Sequence, residues 1–139
     1  MNTERQARAR EMLKSAHLYC TTPRLAILRV FFSSDSPLTQ DQIRRALPSK
    51  LDKVTVYRTL TSLLEADLVH RAYVDERAAY YELATHCGPS QCHPHFTCTR
   101  CGQTRCLLDL QIPLAQSPHR GYKIQRQQVR LEGICPDCN

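Results

Sequence analysis

Asp52-Lys53-Val54-Thr55-Val56-Tyr57-Arg58-Thr59-Leu60-Thr61-Ser62-Leu63-Leu64 runs into Leu68-Val69-His70-Arg71-Ala72-Tyr73-Val74 and then Ala79-Tyr80-Tyr81-Glu82-Leu83. This stretch decides the fold of the first half. Asp52 offers an N-cap oxygen to a helix from Lys53 to about Ala66, and Val56, Leu60, Leu63 and Leu64 supply its apolar face. Two β-like runs follow, joined by the turn Asp75-Glu76-Arg77. A helix leading directly into a hairpin is the ending of a winged helix, whose helix before the wing enters a DNA groove. Thr55, Arg58, Thr59 and Ser62 recur at i, i+3, i+4, i+7, so they are expected on one side as a hydrogen-bonding stripe around one arginine. Such a stripe suits a major groove, with Arg58 reading a base and Lys53 touching phosphate. An ordinary solvated helix face has the same pattern.

Upstream, residues 4–17 read as a basic helix. A second helix opens at Thr22, as N-cap, with Pro23 at its first position, and carries Leu25, Ile27, Leu28, Phe31 and Phe32. Thr39-Gln40-Asp41-Gln42 is a capping box for a third helix that stops before Pro48. The formal net charge is +6, and its basic excess lies in this half, which favours a polyanionic partner such as nucleic acid.

Composition changes near residue 84. Seven of the eight cysteines lie beyond it, and a Gly88-Pro89-Ser90 loop marks the join. The expected division is a winged-helix domain over 1–83, a linker over 84–92 and a second domain over 93–139. The second half reads as a small α/β module: strands around Phe96–Cys98 and Thr104–Leu108, a short helix from Asp109 to about Ser117, and a strand from Tyr122 to Leu131. So thin a module calls for a metal and for dimerisation. The fold class is therefore α+β, an N-terminal winged-helix domain followed by a small zinc-bound dimerisation domain.

Cys98-Thr99-Arg100-Cys101 and Cys135-Pro136-Asp137-Cys138 are two Cys-x-x-Cys pairs with 33 residues between them. Each tight turn aims two thiolates at one point, and two turns make a closed, four-sulfur, structural zinc site. Gly102 directly after the first pair lets the chain bend back. A second group, His70, Glu82, His86, Cys87, Cys92, His93, His95 and Cys106, points to a further metal site, because His93-Pro94-His95 on a strand turns both rings to one face. Cysteine with imidazole suits zinc, while iron or manganese would lean further towards carboxylates. Cys20 stands apart and reads as a small buried hydrophobe.

These motifs together resemble the ferric uptake regulator family over nearly the whole chain. Thr21-Thr22-Pro23-Arg24-Leu25, Thr55-Val56-Tyr57-Arg58-Thr59-Leu60, Tyr81-Glu82-Leu83, His93-x-His95-x-x-Cys98-x-x-Cys101-Gly102 and Gly133-x-Cys135-x-x-Cys138 carry the resemblance. It implies a homodimeric winged-helix repressor that binds palindromic operator DNA when its sensory metal is present and controls metal-uptake genes. Tyr57 and Arg58 match the family's base-reading pair. With Lys53, Thr55 and Thr59 they form the expected DNA-binding set.

The departures bear on the metal. Pro37 stands where the iron and peroxide sensors place a histidine. Cys106 stands five positions after Cys101, where many members have a carboxylate, and Gln127 replaces the histidine of a further family site. Tyr19 occupies a position that is often basic. The chain is more similar to the zinc-sensing branch, which implies a regulatory zinc held by His70, Cys87, His93 and His95, with Glu82 and Cys92 in reserve. Iron or peroxide sensing is the alternative within the family.

Outside the family, the rival classes are a zinc enzyme and a zinc-ribbon interaction module. The zinc deaminase pattern is missing, since Ile134 rather than proline precedes Cys135 and no His-x-Glu occurs. The expectation is thus a non-enzymatic regulator without a small-molecule substrate. No apolar run approaches the length of a membrane span and the start lacks a signal-peptide pattern, so a cytoplasmic protein with reduced thiols is expected.

Overall fold

The computed structural model describes residues 1–75, 78–86, 93–117 and 119–139. The chain divides into two compact units, Met1–Ala84 and Thr85–Asn139. Among the described residues, no helix is long and apolar enough to cross a membrane.

The first unit contains α1 (Asn2–Ser15), α2 (Thr22–Phe32), β1 (Leu38–Thr39), α3 (Gln40–Ala46), α4 (Lys53–Glu65), β2 (Val69–Val74) and β3 (Ala79–Leu83). Its core is built from the apolar stripes of the four helices and the start of the wing: Ala9, Leu13, Ile27, Leu28, Ile43, Val56, Leu60, Leu63 and Val69 are all nearly inaccessible to solvent. Local chemistry sets the helix ends. The capping box of α3 is complete, with the Gln42 N–H donating to Thr39 Oγ1 at 3.1 Å and the Thr39 N–H donating to Gln42 Oε1 at 2.9 Å. Asp52 caps α4 by accepting from the Thr55 N–H at 2.6 Å. That bond, with the nearby Arg58 charge as a smaller contribution, holds the Asp52 carboxyl below its ordinary range.

Two helices stop in the same way. After α1, His17 takes φ 57°, and after α4, Asp67 takes φ 56°. The N–H of His17 donates to Lys14 O and that of Leu18 to Leu13 O; Asp67 and Leu68 repeat the pattern on Leu64 and Leu63. These are Schellman endings, which satisfy the last carbonyls and fold Leu18 and Leu68 back against the core. The second helix starts one residue earlier than expected: Thr21 is its N-cap and makes no side-chain capping bond.

The wing has three strands in the order β1-β3-β2. Leu38 pairs with Tyr81 and Thr39 with Tyr80, an edge too short for a periodicity to reveal. The β2–β3 hairpin pairs His70 with Glu82, and a bulge falls between Arg71 and Tyr73. Across it Tyr73 and Tyr80 stack, their ring centroids 4.5 Å apart.

The second unit is a sheet in the order β5-β4-β6, with β4 (His95–Cys98), β5 (Thr104–Cys106) and β6 (Arg130–Gly133). β5 runs antiparallel to β4, and β6 parallel to it. The helix expected from Asp109 to Ser117 is not formed; a single turn at Leu108–Asp109 is followed by irregular chain. Pro113 explains this, because it removes an N–H within the would-be second turn and disfavours helical backbone at Ile112. The expected strand from Tyr122 shrinks to its last residues. Upstream, the Gln127 side chain bonds Ala115 N at 2.7 Å and Pro113 O at 3.1 Å, so it braces the irregular segment. Leu108, Leu110, Leu114, Tyr122, Ile124 and Ile134 are exposed apolar side chains of this unit.

Candidate metal centres and nucleic-acid interface

The β4–β6 register brings the two Cys-x-x-Cys turns together. Cys98 ends β4 opposite Gly133, the last residue of β6, and Cys135 follows two residues later. The sulfurs of Cys98, Cys101, Cys135 and Cys138 all lie within 4.8 Å of one another, and Cys101 and Cys135 approach to 3.9 Å. A tetrahedral zinc with bonds of ~2.3 Å requires sulfur–sulfur separations of about 3.8 Å, so the tetrad fits such an ion with small adjustments. Cys98 and Cys135 are buried and Cys101 is exposed.

The turns are held by the backbone. Gly102, at φ 74°, donates to Cys98 O at 2.9 Å, and Cys138 N donates to Cys135 O at 3.0 Å. Arg100 donates to Cys138 O, tying one turn to the other. An ion pair of 3.1 Å between Arg105 and Asp137 braces the second turn against β5. Gly133 is fitted to Phe96, whose ring would lie 3.3 Å from an added Cβ.

Backbone N–H groups of Cys101 and Cys135 face the Cys98 sulfur and pull its thiol down to about 6. The neighbouring sulfurs of Cys135 and Cys101 push Cys138 up to about 12. Cys98 thus offers a thiolate at neutral pH, whereas Cys138 keeps its proton until a cation displaces it.

A second donor group sits on the same sheet. His95 and Cys106 are direct cross-strand partners in β4 and β5. His93, two residues before His95, brings its ring to 4.8 Å from that of His95, centroid to centroid. The ligating atoms of His93, His95 and Cys106 lie within 4.8 Å of one another. His95 is buried, and His93 and Cys106 are half-buried. In the first unit, Nε2 of His70 lies 2.7 Å from Glu82 Oε1, and both side chains are buried. Cys87 and Cys92, expected as ligand and reserve, lie outside the described residues. Of the expected regulatory residues, His93 and His95 are adjacent in the second unit, and His70 and Glu82 are adjacent in the first. Cys106 belongs to the wider donor group of the sequence but not to the expected ligand set. Its pairing with His95 depends on strand register, which spacing alone does not give.

The outward face of α4 differs from the expected stripe by one residue. Thr59 is buried and its hydroxyl donates to Thr55 O at 2.7 Å. Ser62 accepts from the Arg24 guanidinium at 2.8 Å, which also reaches Tyr19 O. Thr59 is three residues from Val56 and four from Leu63, so helical geometry places it among the core residues. The solvent face is instead Val54, Tyr57 and Arg58 with Lys53 beside them and Thr61 half-buried, the spacing i, i+3, i+4, i+7. Val54 is 56% and Tyr57 61% exposed. An apolar and an aromatic side chain so presented beside an arginine and a lysine form a surface that can meet base edges and phosphates.

A model of the ferric uptake regulator family matches residues 15–133. The ferric uptake regulation protein of Bordetella parapertussis is 32% identical, over 91% of this chain and 93% of its own length. That of Campylobacter upsaliensis is 30% identical, over 94% and 86%. Among solved structures, a zinc uptake regulator complexed with zinc and DNA superposes with a TM-score of 0.65 and 25% identity, covering 99% of this chain and 95% of that one. The Vibrio cholerae ferric uptake regulator gives a TM-score of 0.64 at 23% identity, with coverages of 91% and 98%, and shares the fold. With the winged helix, the outward face of α4 and the paired cysteine turns in place, the chain belongs to the ferric uptake regulator family of metal-dependent, DNA-binding transcriptional regulators, which are not enzymes.

Proposed function

We propose that the protein is a zinc-responsive repressor that binds palindromic operator DNA as a homodimer and controls genes of metal uptake. The observation that carries this reading is the sorting of donors into two chemically distinct groups: an all-sulfur tetrad, and a histidine pair with a sulfur beside it. Four thiolates close a zinc site and leave no position for a substrate, so this metal is structural. The second group is the sensor. Its ligands are His93 and His95, completed by His70 and Cys87, with Glu82 and Cys92 in reserve. Imidazole and thiolate donors suit zinc, and a relative solved with zinc and DNA supports the choice.

Operator binding uses Tyr57 and Arg58 for bases and Lys53 for phosphate, with Thr55 at the start of the helix. A palindrome demands a fixed spacing of two recognition helices. Metal that restricts how the DNA-binding domain is held favours the competent spacing, and by linkage DNA tightens metal binding equally. The exposed apolar side chains of the second unit suit coverage by a second copy. The protein acts in the cytoplasm, where its thiols stay reduced.

The test is operator affinity at buffered free zinc for the wild type and for a His93→Ala, His95→Ala double variant. Wild-type affinity should rise with zinc; the variant should stay weak yet keep its structural zinc. Equal wild-type affinity at every zinc level would refute the switch. Iron sensing is the second reading, favoured by the Glu82 carboxylate paired with His70 and by the names of the relatives. A response to ferrous ion and not to zinc would establish it.

A further inference from the structure

We infer that Cys106 is a thiolate ligand of the metal held by His93 and His95, taking in a four-coordinate site the sulfur position given above to Cys87. This rests on the reading above that a sensory metal sits at the histidine pair. The argument begins with the sheet. His95 faces Cys106, and Thr97 faces Thr104, in the β4–β5 register. Side chains two apart on a strand share a face, and the Thr97 and Thr104 hydroxyls, 2.9 Å apart, mark that face. Cys106 and His95 are therefore neighbours by backbone geometry, whatever rotamer the thiol takes. Phe96 and Arg105 alternate to the other side.

The distances agree with ligation. A tetrahedral zinc with bonds of ~2.3 Å to sulfur and ~2.0–2.1 Å to nitrogen sets sulfur–nitrogen separations of about 3.6 Å. Ligating atoms of His93, His95 and Cys106 within 4.8 Å of one another reach that by small rotations. Cys106 is separate from the tetrad, whose four corners are already sulfur.

The chemistry gives the substitution its meaning. A carboxylate oxygen here would make the centre hospitable to ferrous and manganous ions, which prefer oxygen and nitrogen. A thiolate shifts the donor set to two imidazoles and a sulfur and so favours zinc. The site thus selects its metal by donor softness at residue 106.

The experiment uses the full-length protein with its structural zinc retained, titrated with cobalt(II) as a spectroscopic stand-in for the sensory metal. Sulfur bound to cobalt gives a near-ultraviolet charge-transfer band; imidazole and carboxylate ligands do not. Wild type should develop the band as the second metal binds. Cys106→Ser should diminish the band and weaken cobalt binding by at least about tenfold, since loss of even an outer-shell partner costs 10–100-fold. Cys106→Asp should recover cobalt binding without the lost sulfur band and should bind manganese more tightly than the wild type does, while zinc binding stays weakened. Circular dichroism and structural zinc content establish that each variant is folded. A band undiminished in both variants would overturn the assignment, as would a second cobalt bound in wild type without any band, or no second cobalt at all. A Cys106-dependent band, with operator affinity indifferent to the metal, would leave the ligand assignment standing and refute the switch.

Discussion

Replacing Tyr57 with alanine tests where the DNA-facing surface of α4 lies. A tyrosine has about 150–250 Å² to bury, and 61% of Tyr57 is exposed, leaving about 90–150 Å² for DNA to cover. At ~25 cal/mol per Å² the upper bound is ~2–4 kcal/mol per half-site. Incomplete coverage and the ordering of the ring reduce this to about 1–2 kcal/mol, or roughly 5–30-fold in affinity. The fold should be indifferent, because the ring is not part of the core. Thr59→Val is the control. It removes a buried hydroxyl while keeping the side-chain shape. The Thr55 carbonyl stays within the helix ladder, so the cost is ~0.5–1 kcal/mol of stability and no operator affinity. Both variants would be titrated by fluorescence anisotropy against a duplex selected in vitro by the wild type, beside thermal melts. The reasoning fails if Thr59→Val weakens operator binding tenfold at unchanged Tm while Tyr57→Ala binds normally. That result would return the interface to the Thr55, Thr59 and Ser62 side.

Cys98→Ser should lose one zinc per protomer by elemental analysis and unfold the second unit, since metal binding there is folding free energy; retention of zinc and of the dimer would contradict the tetrad. Leu63→Ala, at a fully buried contact of α4, should cost ~2–5 kcal/mol in urea unfolding, and a loss under 1 kcal/mol would mean the core is misdrawn. His17→Gly should raise stability by about 0.5–1 kcal/mol, because a Cβ at φ 57° is strained and glycine is not; a lower Tm would show that the His17 side chain contributes more than its backbone costs. Arg24→Ala should remove the bonds to Ser62 and Tyr19 and destabilise the α2–α4 packing by ~1–2 kcal/mol, read by denaturant midpoint.

Local signals sufficed for the winged helix. The capping residues Thr39, Gln42 and Asp52, the apolar spacing of α4 and the tyrosine-rich hairpin act over a few residues, so the chain states them directly. The same holds for the two Cys-x-x-Cys turns, where short loops aim sulfurs and Gly102 supplies the positive φ. Non-local matters were left to the tertiary structure. Polar identity suggested that Thr59 and Ser62 faced out, but packing turned Thr59 among Val56 and Leu63 and gave Ser62 to Arg24, 38 residues away. The β1 edge has two residues and exists only because β3 is there to pair with it. One local signal ran against an expectation: Asp109 offers a helix cap, but Pro113, four residues on, disfavours the helix. The partnership of His95 with Cys106 required the register of β4 against β5. Hydrogen-bond ladders between strands fix which residues meet across a sheet, and one residue of slip would have turned Cys106 to the other face.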